Sequence, residues 1–131
     1  MLFTAPPPEE ATDFQMIRAT RSALALLELR LAVDVLYLLA SGTRRYSEVL
    51  YEVGEVSKKT LTHTLRTLER DGLISRRAYA EVPPRVEYSL TGLGWSLTGL
   101  LMSLYEWAAA NIDRVEKART RALGGGEKLA A

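Results

Sequence analysis

YSEVLYEVGEVSKKTLTHTLRTLERDGLISRRAYAEVPPRVEYSL, residues 46 to 90, changes its apolar period partway along, and that change decides the fold. Tyr46, Val49, Leu50 and Val53 fall three or four residues apart, which predicts a short helix ended by Gly54. Ser57 then stands where an N-cap accepts an amide hydrogen bond. Leu61, Leu65 and Leu68 mark the inner side of a second helix, stopped by Asp71-Gly72. From Leu73 to Tyr79 the helical stripe disappears and β-formers take over, and Val86 to Leu90 alternates apolar and polar. Between these runs Glu81-Val82-Pro83-Pro84-Arg85 must be a loop, because the paired prolines have no amides for a ladder. Short helix, tight turn, helix and hairpin, in that order, make a winged helix-turn-helix.

Working outward, Thr12 or Asp13 suits the cap of a first helix carrying Phe14, Ile17, Leu24 and Leu27. A second helix is expected from about Leu29 to Ala40, with Leu31, Val35, Leu38 and Leu39 inward and Ser41-Gly42 as its stop. Downstream, Thr91 caps a long last helix running from about Gly92 to Ala118 or beyond. Its main stripe includes Leu93, Leu97, Leu100, Leu101, Leu104, Trp107 and Ala108, while Trp95, Met102 and Tyr105 lie off that stripe. A helix apolar on more than one face is covered on more than one face, so one face packs on its own domain and the other on a second copy of the chain. The expected architecture is mainly α with a small β-hairpin. A disordered arm covers 1–11, where Pro6-Pro7-Pro8 blocks helix. The winged domain with terminal dimerisation helices covers 12–123, and a flexible tail beginning at Gly124-Gly125-Gly126 covers 124–131.

Composition removes several classes of function. The 131 residues are 47% hydrophobic and 25% charged, an ordinary globular balance. No cysteine is present, so disulfides, thiolate metal sites and thiol redox sensing are excluded. One histidine leaves almost nothing for a zinc site. No basic-then-apolar leader is visible, and charges such as Glu28, Arg30 and Asp34 interrupt every apolar run, so a soluble cytoplasmic protein is expected. Net charge is only +1. However, residues 56–85 hold seven bases against three acids, a local +4 that leaves −3 for the rest.

The second helix of a helix-turn-helix lies in the major groove, so its outer face should carry donors. Roughly opposite the leucines stand Lys59, Thr62, His63 and Arg66. Lys58 in the first turn can reach a phosphate, and Ser57 with the free amides of that turn suits a phosphate oxygen. Arg76, Arg77 and Arg85 sit on or beside the wing, and Arg44-Arg45 precede the short helix where the sugar-phosphate backbone would pass. A solvated polar face would also look charged, and the adjoining basic hairpin weighs against that reading. His63 has no second ligand or paired carboxylate for metal or acid-base work, and Glu9-Glu10 lie in the arm. The triple glycine follows no strand, so it is no phosphate cradle. Phe14, Trp95, Met102, Tyr105 and Trp107 form a candidate ligand or dimer pocket, with packing the commoner use of such a stripe. No catalytic constellation, cofactor or metal site is expected. A winged-helix module that binds protein instead of DNA is the competing reading.

The segments Arg44-Arg45-Tyr46-Ser47-Glu48-Val49 and Ser57-Lys58-Lys59-Thr60-Leu61-Thr62, the run LRTLERDGLI from Leu65, and above all EVPPRVEYSLT from Glu81 resemble the HxlR-type regulators from about Leu31 to Trp107. The resemblance implies a homodimer joined by first and last helices, regulating transcription at two-fold symmetric operators in duplex DNA. It implies Lys59, Thr62, His63 and Arg66 in the major groove, Arg85 at the wing and Arg44-Arg45 near phosphates. Many members carry a cysteine and a Gly-Lys-Trp-like segment near the second helix. Here that region reads Leu29-Arg30-Leu31, so cysteine chemistry is closed to this chain, and a small aromatic effector between the terminal helices is the expectation in its place. Glu55 replaces the family's usual small residue before the recognition helix.

Overall fold

The computed structural model describes residues 5–27 and 30–130, with side chains described as far as 124. The order is α1 (Asp13–Ala25), α2 (Arg30–Ala40), β1 (Arg44–Arg45), α3 (Tyr46–Val53), α4 (Lys58–Arg70), β2 (Ile74–Tyr79), β3 (Arg85–Leu90) and α5 (Gly92–Ala130). This is the mainly helical fold with a small antiparallel hairpin that the period changes predict. Residues 1–94 form one compact unit and 95–131 a second.

Thr12 is the cap of α1, in a reciprocal box with Gln15: Thr12 Oγ1 accepts from Gln15 N at 3.2 Å and Gln15 Oε1 accepts from Thr12 N at 2.9 Å. No residue of α1 is buried, and Phe14, Met16, Ile17 and Leu24 are exposed. Leu29, where the sequence reading starts the second helix, lies outside the described residues, as do 1–4 of the expected arm.

The first unit is built around α2, which packs against α3, α4 and β3. Its buried residues are Leu31, Ala32, Val35, Leu36 and Leu39. Leu38, expected inward, is only half-buried, and Leu36 is in the core instead: at about 100° per residue Leu31, Ala32, Val35, Leu36 and Leu39 share one side of the helix and Leu38 falls at its edge. Val49 of α3, Leu61, Leu65 and Leu68 of α4, and Leu73, Ile74 and Tyr88 complete this core. Fully burying each such leucine contributes roughly 1.5–3 kcal/mol. Thr64 joins the leucines of α4 with 1% exposure, so a hydroxyl residue belongs to the inner face.

The sheet has three strands in the order β1-β3-β2, all antiparallel. The hairpin pairs Ile74 with Leu90 through Tyr79 with Arg85, and its loop carries a cis Val82–Pro83 bond. β1 is an addition to the expected hairpin: Arg44 pairs with Tyr88 and Arg45 with Glu87, and two residues are too few to show alternation in sequence. Gly72 takes φ +77°, the left-handed turn that lets α4 end at Asp71 and the chain reverse into β2. Thr91 ties the start of α5 to that turn: its Oγ1 donates to Gly72 O at 2.6 Å and accepts from Gly94 N at 3.0 Å, and its N–H donates to Leu73 O at 3.1 Å.

In the second unit Thr98 and Leu101 are buried, while Trp95, Leu100, Met102, Leu104, Tyr105 and Trp107 are exposed. The helix runs through Gly124-Gly125-Gly126 to Ala130, where the sequence reading placed a flexible tail. Glycine weakens a helix interior by about 1 kcal/mol per residue without forbidding the conformation, so a long preceding helix can carry through.

Candidate nucleic-acid interface

The candidate surface is built by α4 and the hairpin beside it. Ser57 caps α4, its Oγ accepting from Thr60 N at 3.0 Å and donating to Thr60 Oγ1 at 2.8 Å, so this hydroxyl is committed to the helix start. With Leu61, Thr64, Leu65 and Leu68 inward, the opposite row is Lys59, His63, Arg66 and Arg70, spaced four, three and four residues apart. All four are exposed, and none makes a side-chain hydrogen bond or ion pair within the described residues. Lys58 is exposed at the first turn.

Thr62 departs from the expected outward face. It is half-buried, and its Oγ1 lies 3.1 Å from Tyr46 Oη, which also donates to Lys58 O at 3.3 Å. Tyr46 therefore pins the first helix of the motif to the second, a role that its place in an apolar stripe concealed. Arg70 is the residue missed in Thr62's place. The available signal was its position four residues after Arg66, hidden because it falls in the last turn before Asp71-Gly72.

The basic residues flanking α4 fall into two groups. Arg76, on β2 opposite Tyr88, is exposed and unpaired, and Arg77, opposite Glu87, is exposed with its guanidinium carbon 4.8 Å from the Tyr79 ring centroid. A cleft of about 420 Å³ separates α4 from the sheet, lined by Tyr46, Thr62, Arg66, Glu69, Arg76 and Tyr88 among others. Arg45 is exposed at the start of α3, its N–H donating to Glu48 Oε1 at 3.0 Å. Two arginines are occupied within the protein. Arg44 is half-buried and donates to Thr43 O at 3.1 Å and Ser41 Oγ at 3.0 Å, holding the turn after α2. Arg85 contacts Glu81 and Glu87.

The structure thus brings Lys59, His63, Arg66 and Arg76 to one open, cationic surface beside the short helix α3, sets Arg77 on the other face of the hairpin, and turns Arg44, Thr62 and Arg85 to internal partners. Phe14, Trp95, Met102, Tyr105 and Trp107 are each exposed, between 52% and 74%. Among the described residues no three His, Cys, Asp or Glu side chains cluster as a metal would require, and no helix is long and apolar enough to cross a membrane.

Comparison with known proteins agrees with the fold. The model of a family described as HxlR-like helix-turn-helix matches residues 26–116. The chain is 40% identical over 96 residues to the uncharacterized HTH-type transcriptional regulator YtfH of Escherichia coli, covering 73% of this chain and 76% of YtfH. A crystal structure from Enterococcus faecalis, described as a transcriptional regulator of the MarR family, superimposes with TM-score 0.73 at 33% identity, over 86% of this chain and 99% of that one. The redox regulator HypR in its oxidized form gives TM-score 0.55 at 35% identity, over 60% of this chain and 81% of HypR.

Proposed function

The chain belongs to the HxlR-like helix-turn-helix family of non-enzymatic, DNA-binding transcriptional regulators, and from that premise we propose that it binds an inverted-repeat operator as a homodimer. The observation that carries the proposal is the unpaired row Lys59, His63, Arg66 and Arg70 along the outer side of α4. Groove-facing donors must be free to trade water for base edges and phosphates, and these are. Arg76 and Arg77 extend the same charge onto the hairpin, where a wing follows the backbone. Local charge thus outweighs a net charge of +1.

The terminal helices support the dimer. An α1 with no buried residue and an α5 exposing Trp95, Leu100, Met102, Leu104, Tyr105 and Trp107 leave more apolar surface uncovered than a monomer keeps in water. A second copy is the simplest cover, since a two-fold contact reuses the same patch on both sides. Two-fold symmetry then sets two copies of α4 about 34 Å apart, one DNA turn. A protein without cysteine has no thiol to sense oxidants with, so regulation falls to a non-covalent effector, and the exposed aromatic set on α5 is the surface an aromatic ligand would share with the partner copy.

Selection from a random duplex pool, with sedimentation of the free protein alongside, tests the proposal. Recovery of inverted half-sites with centres one helical turn apart, by a dimer, is expected. Recovery of single unpaired half-sites, or a monomer at working concentration, refutes it.

A further inference from the structure

The arginines of the hairpin are not equivalent. Register sets Tyr79 opposite Arg85 and Arg77 opposite Glu87, and residues directly opposite in an antiparallel pair share a face. On that face the Arg85 guanidinium stacks on the Tyr79 ring, its Cζ 3.9 Å from the centroid. Its Nη2 lies 3.1 Å from Glu81 Oε1. Its Nε lies 3.5 Å from Glu87 Oε1, a charge contact without hydrogen-bond alignment, since Nε is buried and has no acceptor in line. Tyr79 Oη in turn donates to Glu87 Oε2 at 3.4 Å, which closes the cluster. The side chains of Arg85 and Glu87 are 26% and 23% exposed, so this is a half-covered network and not a surface pair in open water.

We infer that Arg85 is a positioning residue that clamps the wing loop, and that it leaves phosphate contact at the wing to Arg76 and Arg77. A guanidinium already facing two carboxylates has its charge compensated. To reach Arg85 a phosphate must approach Glu81 and Glu87 as well, and the like-charge repulsion offsets the attraction. The loop needs such a clamp. Pro83 and Pro84 have no amides to donate, and the backbone tie Glu81 N to Tyr79 O at 2.9 Å reaches only its first residue. Arg85 reaches across to Glu81 from the far side of the loop and fixes the tip, where Val82 stands fully exposed. Among the described residues Arg76 and Arg77 have no carboxylate partner, and they keep their charge available.

This inference rests on the DNA-binding reading above, and its test separates the two. The full chain and its Arg85→Lys, Arg85→Ala and Arg77→Ala variants are titrated with a short random-sequence duplex across a salt series. Amide hydrogen exchange is followed on each free protein. Lysine keeps the charge but lacks the planar fork that stacks on Tyr79 while meeting two carboxylates. Both Arg85 variants are expected to lose several-fold in affinity with the salt slope unchanged. They should exchange the amides of Glu81 and of position 85 about ten-fold faster while α4 amides stay as in the parent. Arg77→Ala should lower the slope by about one unit per subunit and leave the loop amides alone. Wild-type affinity in Arg85→Lys together with a lost unit of slope in Arg85→Ala would make Arg85 a phosphate ligand and overturn the clamp. Unchanged loop exchange in Arg85→Ala overturns it too. Absence of duplex binding by the parent chain at any salt refutes the DNA-binding reading, while the exchange arm still decides the clamp.

Discussion

Gly94 in the first turn of α5 should be the least replaceable glycine of the described chain. A Cβ built there collides with Leu73 O, and lies 3.1 Å from Leu73 C and 3.2 Å from Leu90 Cδ2. The obstacle is backbone, so no rotamer change relieves it. Leu73 O is also the acceptor for Thr91 N, and Thr91 Oγ1 bridges Gly72 O and Gly94 N. Moving the helix away by the ångström or so that a methyl demands therefore strains the junction at which α4, β2 and α5 meet. Overpacking costs about 1–3 kcal/mol, and a weakened hydrogen bond adds about 1 kcal/mol. Against this, alanine is favoured over glycine in a helix by about 1 kcal/mol. Gly94→Ala should accordingly lose about 1–3 kcal/mol, a fall in Tm on the order of 10 °C. Gly99→Ala is the control, because Gly99 is in the same helix and its Cβ would meet nothing within 4 Å. That change should be neutral or stabilise by up to about 1 kcal/mol. Urea and thermal unfolding at matched protomer concentration, followed by far-ultraviolet circular dichroism, give both values. A Gly94→Ala protein as stable as the parent, or stabilised alongside Gly99→Ala, would show that helix propensity rules at this site and that the close approach is wrong.

The remaining expectations concern α4. Ser57→Ala removes the Oγ that accepts from Thr60 N and should cost about 1 kcal/mol in urea unfolding; no change would mean that water caps the helix as well. Tyr46→Phe and Thr62→Val should each cost about 1 kcal/mol, and the double variant should cost less than their sum by at least about 0.5 kcal/mol, since one hydrogen bond at 3.1 Å joins the two hydroxyls. Strict additivity would refute that bond. Lys59→Ala should leave stability within about 0.5 kcal/mol of the parent and lower the salt slope of duplex binding by about one unit per subunit. An unchanged slope removes Lys59 from the phosphate path.

Periodic burial explains what the sequence shows clearly. Leu61, Leu65 and Leu68 define one side of α4 because an amphipathic helix must bury one stripe, and the prolines between Val82 and Arg85 force a loop because they cannot join a ladder. Signals weaken where an element is too short or a residue breaks its type. Two residues of β1 show no alternation, so their pairing with β3 is invisible until the hairpin exists. Thr64 is polar and buried, which no hydropathy stripe anticipates. The sequence pattern points Thr62 outward as a short donor, although it sits on the flank of α4 that Tyr46 covers.

Pairings between side chains are harder still, because they depend on register. The count of seven bases against three acids over residues 56–85 treats every charge as available. The hairpin register brings Arg85 across from Tyr79 and next to Glu87, which lies just beyond the counted segment, and the loop returns Glu81 to the same guanidinium. One of the seven bases is thereby compensated, while Arg76, one register position from Arg77 on the opposite face, stays free. Charge offered to a polyanion is the charge left unpaired after folding, so a basic stretch of sequence sets an upper bound on the interface, and the strand register decides how much of it remains.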